Sequence, residues 1–340
     1  MQKRTSLKDI ALKVGVSTAL VSSVINGKGK GNGIRVRDEV ANKIRQTAEE
    51  LGYQPNEIAR SLKKGATKTL GLIVADISNP FFGYLARCIE NEAIKFGYIV
   101  IIGSSDEEVQ KSDLIISNFL KRQVDGLIIV PAEGTNGQIK NLIQNKIPLV
   151  LVDRFFPEIS ASYVVLNNYQ ATFDATSHLL KKGFKRIAIV AYKTSLIHMK
   201  ERVRGYLDAM KSYNLSDSIC VIEINSKNSK TEINKACTDF LIKNRDRDAI
   251  IFSTNLLSVQ GLFCMNENKV RIPEDLGFIG FDGGDCFDLF YSPITYIKQP
   301  IEQLANEAVK TLMDYLSNTK SPKISQVILE SKLIIRNSSG

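Results

Sequence analysis

From residue 67 onward, short runs made almost wholly of apolar residues alternate with longer amphipathic stretches, a pattern that restricts most of the chain to a parallel α/β architecture. The runs Leu70 to Ala75, Tyr98 to Ile102, Leu127 to Val130 and Leu149 to Val152 have strand length, and helical segments such as Phe82 to Phe96 and Glu107 to Arg122 separate them. A second set follows at Ile187 to Ala191, Val221 to Ile224, Ile250 to Ser253 and Phe278 to Phe281. Two such sets imply two doubly wound subdomains. Open parallel sheets receive ligands at the carboxyl ends of their strands, which here places a binding cleft between two lobes.

The front of the chain reads differently. Residues 6 to 26, SLKDIALKVGVSTALVSSVIN, hold two short amphipathic helices joined by a glycine turn, a device for entering the DNA major groove. Ser6 with Asp9 makes a capping-box pattern, and Leu7, Ile10, Ala11 and Val14 share one helical face. Gly15 supplies the turn, Ser17 can cap a second helix, and Leu20, Val21, Val24 and Ile25 form the matching stripe. Thr18, Ala19, Ser22 and Ser23 are left facing outward. Asp38 is expected to cap a third helix, whose stripe of Val40, Ile44, Thr47, Ala48 and Leu51 closes a three-helix core before Gly52.

Charge supports a division of labour. The chain of 340 residues carries a formal +9, but residues 1–66 hold 13 Lys and Arg against 6 Asp and Glu, whereas the remainder holds 32 against 30. The basic excess therefore sits on the helix-turn-helix, as a phosphate-facing surface requires. The five cysteines are scattered without metal or redox spacing, and neither His178 nor His198 lies in a zinc pattern. No apolar run approaches the ~20 residues of a membrane helix and no secretory signal is evident, so a cytoplasmic location, away from membranes, is expected.

Further motifs occur in order along the chain: LGYQPNEIARSL from Leu51, DISNPFF from Asp76, RVRGY from Arg202, IPED from Ile272, GFD from Gly280 and KQP from Lys298. With the front helices, they make the chain similar to the LacI/GalR family of bacterial transcription regulators over almost its whole length. The resemblance implies an all-α helix-turn-helix headpiece (residues 1–55) and a hinge helix and linker (56–66). It then implies a periplasmic-binding-protein-like α/β core (67–340) of two doubly wound parallel-sheet subdomains. One lobe would span about 67–165 and 297–322 and the other about 166–296 and 323–336, with a last strand from Val327 to Ile335.

The same resemblance assigns partners. A homodimer would grip a pseudo-palindromic double-stranded operator, with Ser6, Leu7, Ser17, Thr18, Ala19, Ser22, Ser23 and Asn26 at the major groove. Asn56, Ala59, Arg60 and Leu62 would form the hinge, and the leucine would wedge into the minor groove. Ser23 stands where the family commonly has arginine, and a small hydroxyl cannot make arginine's bidentate guanine contact. The glycine-rich stretch from Gly27 to Gly33 lacks nucleotide-loop spacing and reads as a longer connection between helices. Lys8, Lys13, Arg35 and Arg37 are candidate phosphate contacts.

Groups at the strand ends define the expected effector set: Asp76, Asn79, Phe81, Ser105, Asp153 and Arg154 from one lobe, and Arg202, Asn255 and Asp282 from the other. Carboxylates, amides and guanidinium beside aromatic faces such as Phe81 and Phe287 suit a polyhydroxylated molecule, and a sugar leads. A carboxylate or phosphate held by arginine, or a purine stacked on Phe81, are the competing chemistries. No nucleophile paired with histidine, metal cluster or nucleotide loop is present, so neither cofactor nor enzymatic turnover is expected. The alternative class is a solute-binding protein of the same two-lobed fold, which would have no use for residues 1–62.

Overall fold

The computed structural model describes residues 5–25, 36–54, 65–225, 230–243, 247–317 and 323–340. Its contacts divide the chain into two compact units, residues 1–67 and 68–340.

In the first unit, α1 (Leu7–Val14), α2 (Thr18–Ile25) and α3 (Asp38–Glu50) enclose a core of Ile10, Ala11, Val21, Val24, Ala41 and Ile44. Ser6 and Asp9 form the reciprocal capping box, and Gly15 ends α1 in the left-handed region at φ 79° with its N–H donating to Ala11 O. A residue with a Cβ would be strained there, which is why glycine occupies the turn. Ser17 Oγ accepts from Leu20 N at 3.2 Å. Asp38 differs from expectation: Arg37 is the N-cap, with no side-chain capping bond, and Asp38 enters the first turn of α3 together with Glu39. Acidic residues there still complement the positive helix N-terminus.

The second unit contains two six-stranded sheets of the same order. The first comprises β1 (Thr69–Val74), β2 (Ile99–Ser104), β3 (Gly126–Ile129), β4 (Leu149–Val152), β5 (Tyr163–Leu166) and β11 (Gln326–Leu329), in the order β2-β1-β3-β4-β5-β11. Helices α4 (Pro80–Lys95), α5 (Val109–Lys121) and α6 (Asn136–Gln144) connect its strands. The second comprises β6 (Ile187–Lys193), β7 (Val221–Asn225), β8 (Ala249–Phe252), β9 (Gly277–Phe281), β10 (Thr295–Lys298) and β12 (Lys332–Ile334), in the order β7-β6-β8-β9-β10-β12. It is joined by α7 (Asn168–Lys181), α8 (Ile197–Ser212), α9 (Lys230–Lys243), α10 (Asn255–Glu267) and α11 (Asp285–Leu289), and α12 (Ile301–Ser317) returns the chain to the first lobe.

Alternation along β1 explains the layering. Leu70, Leu72 and Val74 enter a cluster with α4 and α12, whereas Ile73 enters another with Ile116 and Phe119 of α5 and Ile139 of α6. In the second sheet Ala188 and Val190 face α9 and α10, and Ile187 and Ile189 face α7 and α8. Helices on both faces bury the central strands completely, so their sequences read as unbroken apolar runs.

Two expectations are corrected. The segment from Val327 to Ile335 is not one strand: β11 pairs parallel with β5 in the first sheet, and β12 pairs antiparallel with β10 in the second. The crossing therefore lies at Glu330 and Ser331 rather than near residue 323. The return to the first lobe lies beyond Ile297, because β10 still belongs to the second sheet through Lys298.

Candidate functional site

On the headpiece, Ser6, Ser17, Thr18 and Ala19 are exposed, while Leu7, Ser22 and Ser23 are half-buried beside the three-helix core. Ser6 is engaged in its cap, its hydroxyl donating to Asp9 Oδ2 at 2.7 Å. Thr18 and Ala19, at the start of α2, are thus the open part of the expected reading surface. Lys13 forms an exposed ion pair with Glu50 at 3.0 Å, a bond weak enough to be exchanged for a phosphate. Asn26, Asn56, Ala59, Arg60 and Leu62 lie outside the described residues, as do Gly27 to Gly33 and Arg35.

In the first lobe, four expected effector contacts are occupied locally. Asp76 accepts from Ser78 N at 2.9 Å and Ser78 Oγ at 2.7 Å, and Asn79 caps α4 by accepting from Phe81 N at 3.0 Å. Ser105 is buried and donates to Val74 O at 3.2 Å. Phe81 is 6% exposed and packs edge-to-face on Phe82 at 5.0 Å, so its ring offers no open stacking face. Phe287, the other aromatic expected to face the ligand, is fully buried in the second-lobe core.

Asp153 and Arg154 behave differently. Both are buried at the end of β4, and Asp153 adopts φ 67°. Arg154 forks onto Glu107, with Nη1 donating to Oε2 at 2.9 Å and Nη2 lying 2.8 Å from Oε1, and its Nε is 3.4 Å from Asp153 Oδ2. Burial pushes the Asp153 carboxyl above its ordinary range, against the pull of Arg154 and Arg202. Burial works against the charged form of Arg154 too, but Glu107 and Asp153 more than offset it.

The second lobe supplies a buried cation of its own. Arg202 on α8 donates from Nε to Asn168 Oδ1 at 2.7 Å and from Nη1 to Ser253 O at 2.6 Å, and its guanidinium lies 3.7 Å from the Phe281 ring centroid. Close packing of α7 on α8 makes this possible: a Cβ at Gly205 would overlap the Tyr169 carbonyl oxygen. Desolvation lowers the Arg202 pKa to about 10, against the charges of Asp282 and Asp153, so the group stays cationic at neutral pH. Asn255 donates to Gly283 O at 2.9 Å. Half-buried Asp282, at φ 70°, accepts from Gln299 Nε2 at 2.7 Å, and burial raises its carboxyl to about 6.

The lobes meet through these groups. Asp153 of the first lobe is close enough to Arg202 and Asp282 of the second to shift their ionisation, Arg154 acts on Arg202, and His198 feels both arginines. Tyr192, hydrogen-bonded to Thr254 and raised to about 12 by burial, also feels Glu107 across the cleft. A separate clasp joins the lobes where Glu133 accepts from Thr194 Oγ1 at 2.9 Å and Ser195 N at 2.6 Å. Leu196 follows and packs into the first-lobe core.

His198, Glu107, Tyr192 and Gln299 were not among the expected contacts. His198 lies four residues before Arg202, hence on the same helical face, which was a usable signal. Burial first, then Arg154 and Arg202, hold its imidazole neutral. Its Nδ1 and Gln299 Oε1 are buried with no hydrogen-bond partner. Buried polar atoms are seldom left so, and Arg154 Nε is another. Glu107, Asp153 and Asp282 all hold left-handed backbone without being glycine, and such strain concentrates at functional sites.

Comparison with known proteins agrees with this geometry. Residues 6–56 match the model of bacterial regulatory proteins of the lacI family, and residues 176–339 match that of the periplasmic binding protein-like domain. The chain is 30% identical over 337 residues to catabolite control protein A of Priestia megaterium, covering 98% of each protein. Among solved structures, the lac repressor dimer bound to operator and the anti-inducer ONPF superposes with a TM-score of 0.86 at 19% identity, covering 99% of both chains. The complex of the transcriptional regulator CelR with cellobiose superposes at 0.72 and 23% identity, covering 98% of this chain and all of that one. With a helix-turn-helix unit, two parallel-sheet lobes and a charged cleft between them, the chain belongs to the lacI family of bacterial regulatory proteins.

Proposed function

We propose that the protein is a transcriptional repressor in which a neutral, polyhydroxylated small molecule, a sugar in the first instance, controls operator binding by a homodimer. The observation that carries this reading is the conjunction in one chain of an exposed α2 face and a cleft built from both lobes. The charge of the effector follows from who is already bonded. Arg154 is held by Glu107, and Arg202 by Asn168, Ser253 O and the Phe281 ring, so part of the donor capacity of each guanidinium is already taken up within the protein. The groups with unused capacity include Asp282, His198 Nδ1, Gln299 Oε1 and Arg154 Nε. Such a set receives and supplies hydroxyl hydrogen bonds. The cellobiose held by CelR is a ligand of this chemistry.

Dimerisation has a physical basis in the first lobe. Its edge strand β2 and neighbouring α4 expose Ile99, Ile102, Ile94 and Phe96, and an open strand edge with apolar neighbours asks for cover. The lac repressor, which has the same fold, binds its operator as a dimer. An effector that favours one arrangement of the lobes would move the two hinge segments, residues 56–62, together or apart. It can do so only through different affinities for the two states. On this reading the protein works by binding rather than turnover.

A thermal-shift screen of neutral sugars, nucleosides, sugar phosphates and organic acids tests the reading, since a ligand bound only by the native state raises its melting temperature. Stabilisation by a neutral sugar alone is expected. Stabilisation only by phosphates or acids would contradict the assignment of the two arginines.

A further inference from the structure

Away from the two arginines, the lobes are joined by a contact that neither DNA binding nor ligand binding requires. Glu133 stands beyond the carboxyl end of β3, and Thr194 to Leu196 lead from β6 into α8. The Glu133 carboxylate bridges the lobes with both oxygens: Oε2 accepts from Thr194 Oγ1 at 2.9 Å and Oε1 from Ser195 N at 2.6 Å. Thr194 Oγ1 in turn accepts from Leu196 N at 3.2 Å, so one hydroxyl fixes both the shape of the segment and its link to the first lobe. Partial burial works against the ionised form of Glu133, but Ser195 and Thr194, with Lys200 nearby, hold its carboxyl below the ordinary range. Hydrogen bonds to an ionised acceptor are the stronger kind.

Leu196 completes the contact. It is 6% exposed and belongs to an apolar cluster whose other members, among them Ile139, Leu142 and Phe156, come from residues 73–165 of the first lobe. A second-lobe side chain is thus seated in the core of the first lobe. It is also the N-cap residue of α8, the helix that carries His198 and Arg202. Parting the lobes here would bring Leu196 into water and strip Glu133 of its partners, and both oppose opening.

The position of the contact in the two sheets matters as much as its bonds. The chain crosses between lobes beside β5 and β10, where Asn167 Nδ2 donates to Glu330 Oε1 at 2.9 Å. β3 lies two places from β5 and β6 three places from β10, or about 10 and 14 Å at ~4.8 Å per strand. The ends of β4, β8 and β9, which lead into Asp153, Ser253 and Asp282, fall between. The crossings therefore close one side of the cleft, and Glu133 with Thr194 to Leu196 closes the other.

We propose that Thr194 to Leu196 is a latch at the mouth of the cleft that holds the two lobes together before any ligand binds, with the Glu133 carboxylate as its catch, so that opening the cleft requires its release. Taken with the effector site proposed above, the latch sets how readily a small molecule enters and leaves. Glu133 and Leu196 act through lobe arrangement and not through contact with the ligand.

The test reads lobe separation in the full-length, ligand-free protein by double electron–electron resonance. Nitroxides are attached at Lys140→Cys on α6 and Lys211→Cys on α8, both exposed positions, with Cys220 and Cys286 replaced by serine. Labelled chains are diluted with unlabelled ones so that distances within one chain are read. A single short-distance population is expected with the latch intact. Glu133→Ala should raise the ratio of open to closed molecules at least about tenfold, the size expected for losing hydrogen bonds to a charged group. Leu196→Ala should act in the same direction, and Glu133→Gln, which keeps one acceptor oxygen, less strongly. Unchanged distances in Glu133→Ala and Leu196→Ala, even with a lower melting temperature, would reduce the segment to a packing element and overturn the proposal. A long-distance population that already dominates with the latch intact would overturn it too. Glu133 is exposed and outside the apolar clusters, so Glu133→Ala decides the matter even if Leu196→Ala fails to fold. Neither DNA nor ligand is present, so the result is separate from the operator and effector assignments.

Discussion

At the start of α2, Thr18 and Ala19 stand exposed above a core of only a few residues, whereas in the cleft Arg154, Arg202 and Asp153 are buried and bonded to neighbouring groups. The two regions therefore meet their ligands differently. A base edge or phosphate approaches an open surface and displaces water, so few internal bonds have to be rearranged. On the proposed reading an effector enters between groups contributed by both lobes, and bonds made to both at once would favour one lobe arrangement, a leverage that a surface contact lacks.

Removing the centre of the network should produce the largest effect. Arg202→Ala removes the buried, charge-assisted hydrogen bonds to Asn168 and Ser253 O and is expected to cost about 2–4 kcal/mol of stability. Effector affinity, read by calorimetry, should fall more than about a hundredfold, equivalent to about 2.8 kcal/mol. Undiminished affinity would separate Arg202 from the site. At the other end of the molecule, Leu62→Ala is expected to weaken operator binding about tenfold to a hundredfold in a gel shift while effector affinity stays unchanged. Equal loss of both would abolish the distinction between the regions.

A backbone change sharpens the same contrast. Gly15→Ala places a Cβ at φ 79° and should destabilise the headpiece by about 1–2 kcal/mol, lowering its melting transition and leaving that of residues 68–340 in place. The smallest effect concerns pH. Burial holds the Asp282 carboxyl at about 6, above its ordinary 3.8, so its contribution to folding is complete below about 3.8 and lost as pH rises through about 6. A ligand hydroxyl that donates to the ionised carboxylate favours that form. Affinity should therefore fall several-fold as pH drops through about 6, and Asp282→Asn should flatten the profile.

Much of this architecture is legible in local periodicity. The eight apolar runs coincide with strands, and six of them, β1, β3, β4, β6, β8 and β9, are central strands with helices on both faces. Periodicity does not name a strand's partner, however. Polar Glu330, Ser331 and Lys332 separate the apolar residues Val327 to Leu329 from Leu333 and Ile334, which marks a break, but nothing in it says that β11 and β12 pair in different sheets. The strands β5 and β10, which stand beside the crossings, were not among those runs although they are as long as β3, β4 and β8.

The site shows the same limit. The rule that ligands meet strand ends brought forward Asp153, Arg154 and Asp282, which do come together. It also gathered Phe81 and Ser105, whose side chains point into the lobe. Glu107 enters the cleft through a left-handed backbone that composition does not announce. Gln299 arrives by way of the crossing after β10. His198 was hidden because a lone histidine is more often structural than functional, and only its unpartnered Nδ1 beside two arginines distinguishes it.

The central claim is that cleft occupancy governs the grip on DNA. Its most direct test is an operator-binding titration on a duplex selected by the protein from a random-sequence pool, with and without a neutral sugar that raises its melting temperature. The account predicts that the sugar shifts operator affinity by tenfold or more, about 1.4 kcal/mol of coupling, and that the shift vanishes in Arg202→Ala. Superimposable curves for the wild-type protein with and without the bound sugar would contradict it.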